Sequence, residues 1–305
     1  MEIFSDLVPA EKHRILICCI MGLADDNGAT YPNPLYKLGY RVKILEWDGV
    51  LNSDGEEVAP DLVLVDREND HALVVECKSG KLEKDQLRRY SRVRREDIVN
   101  WGISSKNPRK LTHDITLISS YENGGRVLKS LSQSGWTFTF PTLRVNLVNI
   151  ELIKNHFGRS ELNAIFPVEI NLLRPPQYLY PIGSDTPDHI IMTEIFTQLV
   201  KELFENESDV FEIELKNIIL NLYPHWDGMG SRIKHYIINN VNRIILDLSK
   251  NRLLNKYIEY DNNKIKFAIP NYKNTNSLQA FQKAGTEYID SLKRQPQRQT
   301  FIIDE

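Results

Sequence analysis

The hydrophobic pattern changes rhythm several times along the chain, and each change predicts an element. Residues 9–24 carry apolar side chains at helical spacing behind Pro9, with Glu11 in the first turn, and predict a helix. "LYKLGY" predicts a short helix ending near Gly39, and Tyr40 to Trp47 a first strand. After the turn-rich "DGVLNSDGEEV", residues 60–66 predict a second strand, "RENDH" a tight connection and "ALVVECK" a third strand. From Lys81 to about Val99, the positions of Leu87, Tyr90, Val93 and Ile98 suit one amphipathic helix. "DITLISSY" predicts a fourth strand, "WTFTF" and "LRVNLV" further strands, and "RSELNAIF" a short helix. This order implies an α/β domain, a mixed β-sheet flanked by helices.

The segment "LLRPPQYLYPIGSDTPD" is rich in proline and turn residues, and separates an expected domain at 1–180 from a second at 181–305. Beyond it the rhythm is helical. Thr186 and Pro187 form a helix start, and Ile191, Ile195, Leu199 and Leu203 recur every four residues. A second helix is expected at about 210–222. A third starts near Ser231 and places Ile233, Ile237, Val241, Ile244 and Leu248 on one face. "KYIEYDNNKIKFAIP" alternates around an Asp-Asn-Asn turn as a hairpin does, and a final helix is expected at about 275–293. Three helices followed by a hairpin is the order of a mainly α, winged-helix-like domain.

Composition narrows the classes. Hydrophobic residues are 41% and charged residues 26% of the 305, which is ordinary for a globular protein with a substantial core. No apolar run reaches the ~18–20 residues that cross a bilayer, so no membrane role is expected. The apolar segment near the amino terminus follows the acids Glu2, Asp6 and Glu11 and is expected to be a helix rather than a signal peptide. Cys18, Cys19 and Cys77 lack CxxC spacing and sit in apolar runs, as buried free thiols of a cytoplasmic protein would. There is no GxxxxGK[ST] and no GxGxxG, so an ATP-driven step would need a motor or regulatory protein supplied in trans.

The formal charge of −3 excludes a uniformly basic DNA-coating protein, but the charge is unevenly spread. Residues 81–110 sum to +6 and residues 216–256 to +5, against −14 elsewhere. Local basic patches on an acidic body suit a protein that meets a polyanion at chosen places, although solvated helix faces have the same composition.

The chemistry lies in "APDLVLVDRENDHALVVECKSG", residues 59–80. Strand alternation puts Glu76 and Lys78 on one face, and pairing of the second and third strands brings Asp61 beside Glu76. Two carboxylates and an ammonium at a sheet edge are expensive when dry and unpaired. A hard divalent cation such as Mg²⁺ removes the difficulty; a structural salt bridge between Lys78 and one acid is the plain alternative.

Pro60-Asp61, a second strand, and then Glu76-Cys77-Lys78 resemble the PD-(D/E)xK nuclease superfamily, with its restriction-endonuclease-like fold. The element order over roughly residues 9–120 is similar to that family's core. Gln86 and Tyr90, four apart on the following helix, resemble the Gln-x-x-x-Tyr of its RecB-type branch. The resemblance implies a Mg²⁺-dependent DNA endonuclease, with Mn²⁺ substituting, leaving 5′-phosphate and 3′-hydroxyl ends. It implies that Asp61, Glu76 and the Cys77 backbone carbonyl hold the metal, with an acid of the first helix, Glu11 (or Glu2 or Asp6), completing the shell. Lys78 would assist the attacking water, and Gln86 and Tyr90 would support the site. Arg88, Arg89 and Arg92 are candidate DNA contacts beside it. In the second domain the candidates are Arg232, Lys234 and Arg243 on the third helix and Lys264 and Lys266 on the wing. A double-strand cut would require a homodimer or two successive nicks. A role in prokaryotic defence, restriction or a mobile element follows only by analogy. The alternatives are a non-catalytic DNA- or partner-binding module on a nuclease scaffold, and a nuclease that cuts RNA.

Overall fold

The apolar run that Asp61 opens and the one that Glu76 and Lys78 close become neighbouring strands, second and third in a seven-stranded mixed sheet. The computed structural model describes residues 9–26, 31–80, 82–133, 138–171, 188–206, 208–223, 225–269 and 275–294. It falls into two compact units: residues 1–178 together with 227–231, and residues 179–226 together with 232–305. The proline-rich segment and the Thr186-Pro187 helix start lie outside the described residues.

In the first unit, helix α1 (Pro9–Leu23) and the short α2 (Pro34–Lys37) lead to strand β1 (Tyr40–Leu45). Gly39 makes that junction: its φ is +98°, and a Cβ there would stand 3.0 Å from Asp66 Oδ1. A hairpin of β2 (Val50–Leu51) and β3 (Glu57–Val58) precedes β4 (Leu62–Asp66) and β5 (His71–Lys78). Helices α3 (Lys84–Ser91) and α4 (Arg95–Asn100) cross to β6 (Thr112–Ser120). Helix α5 (Tyr121–Gln133), β7 (Thr142–Val145), β8 (Asn149–Lys154), α6 (Ser160–Ile165) and β9 (Val168–Glu169) complete the unit. The strand order is β1-β4-β5-β6-β7-β8-β9, with β5, β6 and β7 parallel and the other neighbours antiparallel.

Alternation decides the two faces. Ala72 and Val74 of β5 and Ile115 and Leu117 of β6 share a core with Leu87 and Tyr90 of α3, Ile98 of α4, and Val127 and Leu131 of α5. Leu73, Val75 and Cys77 point to the opposite face, and α1 packs against β5 and β6. Residues 227–231 return to the outer edge of β1, where Met229 bridges Leu45 and a Cβ on Gly228 would stand 2.5 Å from the Lys43 carbonyl oxygen. That approach shields part of an open strand edge.

In the first unit three expectations are corrected. The single helix expected over Lys81–Val99 is two, because Asp97, buried, accepts the Arg94 N–H at 2.7 Å and the Ser53 hydroxyl at 2.5 Å and so starts a new helix. His113 also contacts the Val93 carbonyl oxygen at 3.1 Å, fixing the break. "WTFTF" gives no strand at its described residues 138–140, whereas the strand expected at "LRVNLV" is present as β7, which stops at Val145 and turns over Asn146–Val148. Residues 121–133, for which no element was expected, are α5.

The second unit, taken by itself, contains α7 (Asp188–Asn206), β10 (Val210–Glu214), α8 (Leu215–Leu222), α9 (Ser231–Lys250), β11 (Ile258–Asp261), β12 (Lys264–Ala268) and α10 (Thr275–Lys293). The expected helix over 210–222 is half strand: Phe211 and Ile213 alternate inward on β10, which pairs with β12 in a sheet ordered β10-β12-β11. Phe211, Phe267 and Phe281 stack or pack edge to face in its core. Among the described residues no helix is long and apolar enough to cross a membrane.

Candidate active site

Antiparallel pairing of Leu62 with Val75 places Asp61, one residue before β4, at the end of β5 that carries Glu76 and Lys78. Asp61 Oδ2 accepts the Cys77 backbone N–H at 2.6 Å, which fixes the carboxylate across the strand ends. Glu76 is buried, with 3% of its surface exposed, so each lone pair needs a partner. Its Oε1 accepts from Lys78 Nζ at 2.6 Å and Gln86 Nε2 at 2.7 Å. Its Oε2 meets the Tyr90 hydroxyl, which also lies 2.7 Å from the Ala59 carbonyl oxygen. Lys78 Nζ donates to Gln86 Oε1 at 2.5 Å, closing a ring of Glu76, Lys78 and Gln86.

Gln86 and Tyr90 reach this ring because four residues make about one turn of α3. All five residues picked from the strand ends and this helix, Asp61, Glu76, Lys78, Gln86 and Tyr90, are thus brought together. Burial raises the Glu76 carboxyl, and the negative charge of Asp61 raises it further, against the pull of Lys78 and Tyr90. Burial, then the charges of Glu76 and Asp61, hold the Tyr90 hydroxyl well above its ordinary range. A buried proton donor with one hydrogen and two acceptors, beside two carboxylates, stores electrostatic cost at one place.

Two site residues were not picked out from the sequence. His13 Nε2 of α1 stands 3.2 Å from Asp61 Oδ1 and 3.5 Å from Glu46 Oε1. Burial opposes a charge on His13, but the hydrogen bonds and charges of Asp61 and Glu46 outweigh it and push its pKa up to about 10. Glu46 follows β1 in the left-handed region, with φ at 43°, and its N–H donates to the Asp61 carbonyl at 2.7 Å. No spacing rule links residues 13, 46 and 61; only the fold does. His13 lies in the charged first turns of α1, beside Glu11, Lys12 and Arg14, so nothing in its setting singled it out, although it lies on the helix where an acidic ligand was expected.

The residues present fit a cation. Ligand atoms of His13, Glu46 and Asp61 all lie within 4.8 Å of one another, two hard carboxylate oxygens and one imidazole nitrogen. In this arrangement the Cys77 amide, not its carbonyl, touches Asp61. Glu11 lies in α1, but its side chain is outside those described, as are Glu2 and Asp6.

The candidate nucleic-acid contacts fare unevenly. Arg88 and Arg92 lean on Glu56 at 3.3 and 3.1 Å, Arg92 also approaches Asp54, and Arg94 meets Asp54 at 3.0 Å. The Arg89 carbonyl accepts from Asn52 at 3.4 Å. Much of the basic run therefore holds the β2–β3 hairpin. In the second unit, Arg243 is committed to Asp188 through contacts of 2.6 and 2.9 Å. Lys264 and Lys266 are each flanked by acids on both neighbouring strands: Glu214 and Asp261 for Lys264, Glu212 and Glu259 for Lys266. That strand face carries more acids than lysines and is not basic. Arg232 is exposed on α9, and Lys234 lies over the Trp226 ring at 5.7 Å.

The chain belongs to the MJECL32 domain family, whose model matches residues 12–180 and hence every residue of the candidate site. A relative, the uncharacterized protein MJECL32 of Methanocaldococcus jannaschii, is 28% identical over 255 residues, covering 76% of this chain and 56% of its own. The chain thus spans little more than half the length of that relative. No solved structure matches it.

Proposed function

We propose that the first unit is a metal-dependent DNA endonuclease of the PD-(D/E)xK type, with a restriction-endonuclease-like core. The observation that carries this reading is the buried convergence of Asp61, Glu76, Lys78, Gln86 and Tyr90 at the ends of β4 and β5. A scaffold has no need of a buried carboxylate whose charge is opposed by both burial and a neighbouring acid; functional sites keep such groups because chemistry uses them. The order α1, β1, β4, β5, α3, β6 supports the fold assignment.

Asp61 and Glu76 would hold Mg²⁺ or Mn²⁺, with Glu46, His13 and the Cys77 backbone as further donors. Such a cation polarises the phosphoryl oxygen and lowers the pKa of a bound water. Lys78, fixed by Glu76 and Gln86, presents an ammonium to the negative charge that develops on the phosphate. Gln86 bonds both Lys78 and Glu76 and so fixes their direct contact, and Tyr90 holds Glu76 from behind.

We read the second unit, whose described elements run α7, β10, α8, α9, β11, β12 and α10, as a winged-helix-like binding module. Its acid-flanked wing favours a protein partner for that face over a DNA backbone, with Arg232 and Lys234 the remaining candidate DNA contacts. The test is cleavage of supercoiled plasmid with Mg²⁺ or Mn²⁺ by wild type and Asp61→Asn. Loss of cutting in the variant is expected; equal cutting would overturn the reading.

A further inference from the structure

Beside the candidate site, an exposed aromatic ring stands on the same end of the sheet. Lys78 of β5 pairs with Ser119 of β6, and Ser119 with Arg144 of β7, so the three lie in one row across parallel strands. Strands are about 4.8 Å apart, which puts Arg144 about 10 Å from Lys78 along that row. Tyr121 opens α5 one residue beyond β6 and is 63% exposed. The Arg144 guanidinium lies over its ring, 5.1 Å from the centroid, and Glu151 anchors that guanidinium at 2.6 and 2.8 Å. Two further contacts tie the first turn of α5 to the site: Asn123 Nδ2 donates to the Ser79 carbonyl, and Lys12, next to His13, pairs with Glu122 at 3.3 Å.

An exposed tyrosine alone is ordinary; what sets this one apart is the anchored guanidinium behind it, in the strand row of Lys78. Here one side is backed by a fixed cation and the rest is open. The hydroxyls of Ser119 and Ser120, buried and without a hydrogen-bond partner among the described residues, underlie the same junction. Because Glu151 neutralises Arg144, the surface offers a stacking plane rather than net positive charge. Stacking takes the flat face of a base, and a base shows its face only when unpaired.

We infer that Tyr121, backed by Arg144, is a stacking subsite for an unpaired nucleobase next to the phosphodiester held at Lys78, so that the substrate is single-stranded or frayed DNA. This rests on the nuclease reading, and deepens it by naming the substrate form. The fixed ring loses little freedom on binding, which favours affinity.

The experiment reads binding apart from cleavage. Fluorescence anisotropy of labelled single-stranded and blunt duplex oligonucleotides is followed in EDTA with the full chain, across a salt series. Tyr121→Ala is expected to weaken single-strand binding about 5- to 150-fold, the range for one base–aromatic stack. Tyr121→Trp is expected to restore it. Duplex affinity and the salt slope should stay at wild-type values, because no phosphate contact is removed. Single-strand binding unchanged in Tyr121→Ala, an equal loss for both forms, or a wild type that binds neither would overturn the inference. Retained plasmid cutting by Asp61→Asn would instead overturn the nuclease reading, whatever Tyr121 does.

Discussion

Replacing Glu76 by glutamine should make the metal-free protein more stable while abolishing its activity. The carboxyl's pKa is raised from 4.5 to about 7 by burial and by Asp61. A folded-state value above the unfolded one means that stability is greatest below pH 4.5 and is lost as pH rises through about 7. At pH 8 the charged side chain therefore costs the fold on the order of 3 kcal/mol, and at pH 5 less than about 1 kcal/mol. That figure already includes the attraction of Lys78, which pulls the other way. A glutamine avoids the cost and keeps the hydrogen bonds. Its oxygen can accept from Lys78 and Gln86 as Oε1 does, and its amide can donate to the Tyr90 hydroxyl. The Tyr90 proton is then free for the Ala59 carbonyl. Thermal melts in EDTA should show Glu76→Gln above wild type by about 6–12 °C at pH 8, and by a small fraction of that at pH 5. A variant less stable than wild type at both pH values, or one that still cuts plasmid, would refute the reasoning.

His13 extends the same test to higher pH. Its raised value means that its pairing with Asp61 and Glu46 stabilises the metal-free fold fully below pH 6.5 and is lost as pH rises through about 10. His13→Asn should therefore flatten the fall in melting temperature between pH 7 and pH 10; an unchanged slope would contradict the pairing. Asp97→Ala removes a helix start, while water can take the place of Asp97 at the exposed Ser53 hydroxyl, so the denaturant midpoint should reflect a loss of about 1–2 kcal/mol. Lys264→Ala with Lys266→Ala should change DNA affinity by no more than about twofold in a gel-shift titration, since flanking acids already offset both charges. A loss beyond about tenfold would restore the wing as a DNA contact.

Legibility followed sequence separation. Strands β4 and β5 were plain because both are apolar runs ended by charges, and the five-residue cluster followed because alternation and helical spacing are local rules. Helix α5 was hidden by Gly124 and Gly125, which disfavour a helix in isolation; burial of Val127 and Leu131, four apart, overrides them. Strand β10 was absorbed into the apolar run after it, although Phe211 and Ile213 show the strand period. His13 and Glu46 could not be seen, since three separate elements bring them to Asp61. The basic run at 81–110 was legible as charge, but its partners Asp54 and Glu56 lie in a hairpin whose docking is tertiary.

The most direct test of the central claim is cleavage of plasmid, linear duplex and single-stranded DNA by wild type and Lys78→Ala, with Mg²⁺, with Mn²⁺ and with EDTA. Lys78 is 13% exposed and bonded to both Glu76 and Gln86, so it sits at the centre of the proposed chemistry. The account predicts metal-dependent cutting by wild type that EDTA and Lys78→Ala each abolish. Cutting that survives in Lys78→Ala, or a wild type that leaves every substrate intact with either metal, would contradict it.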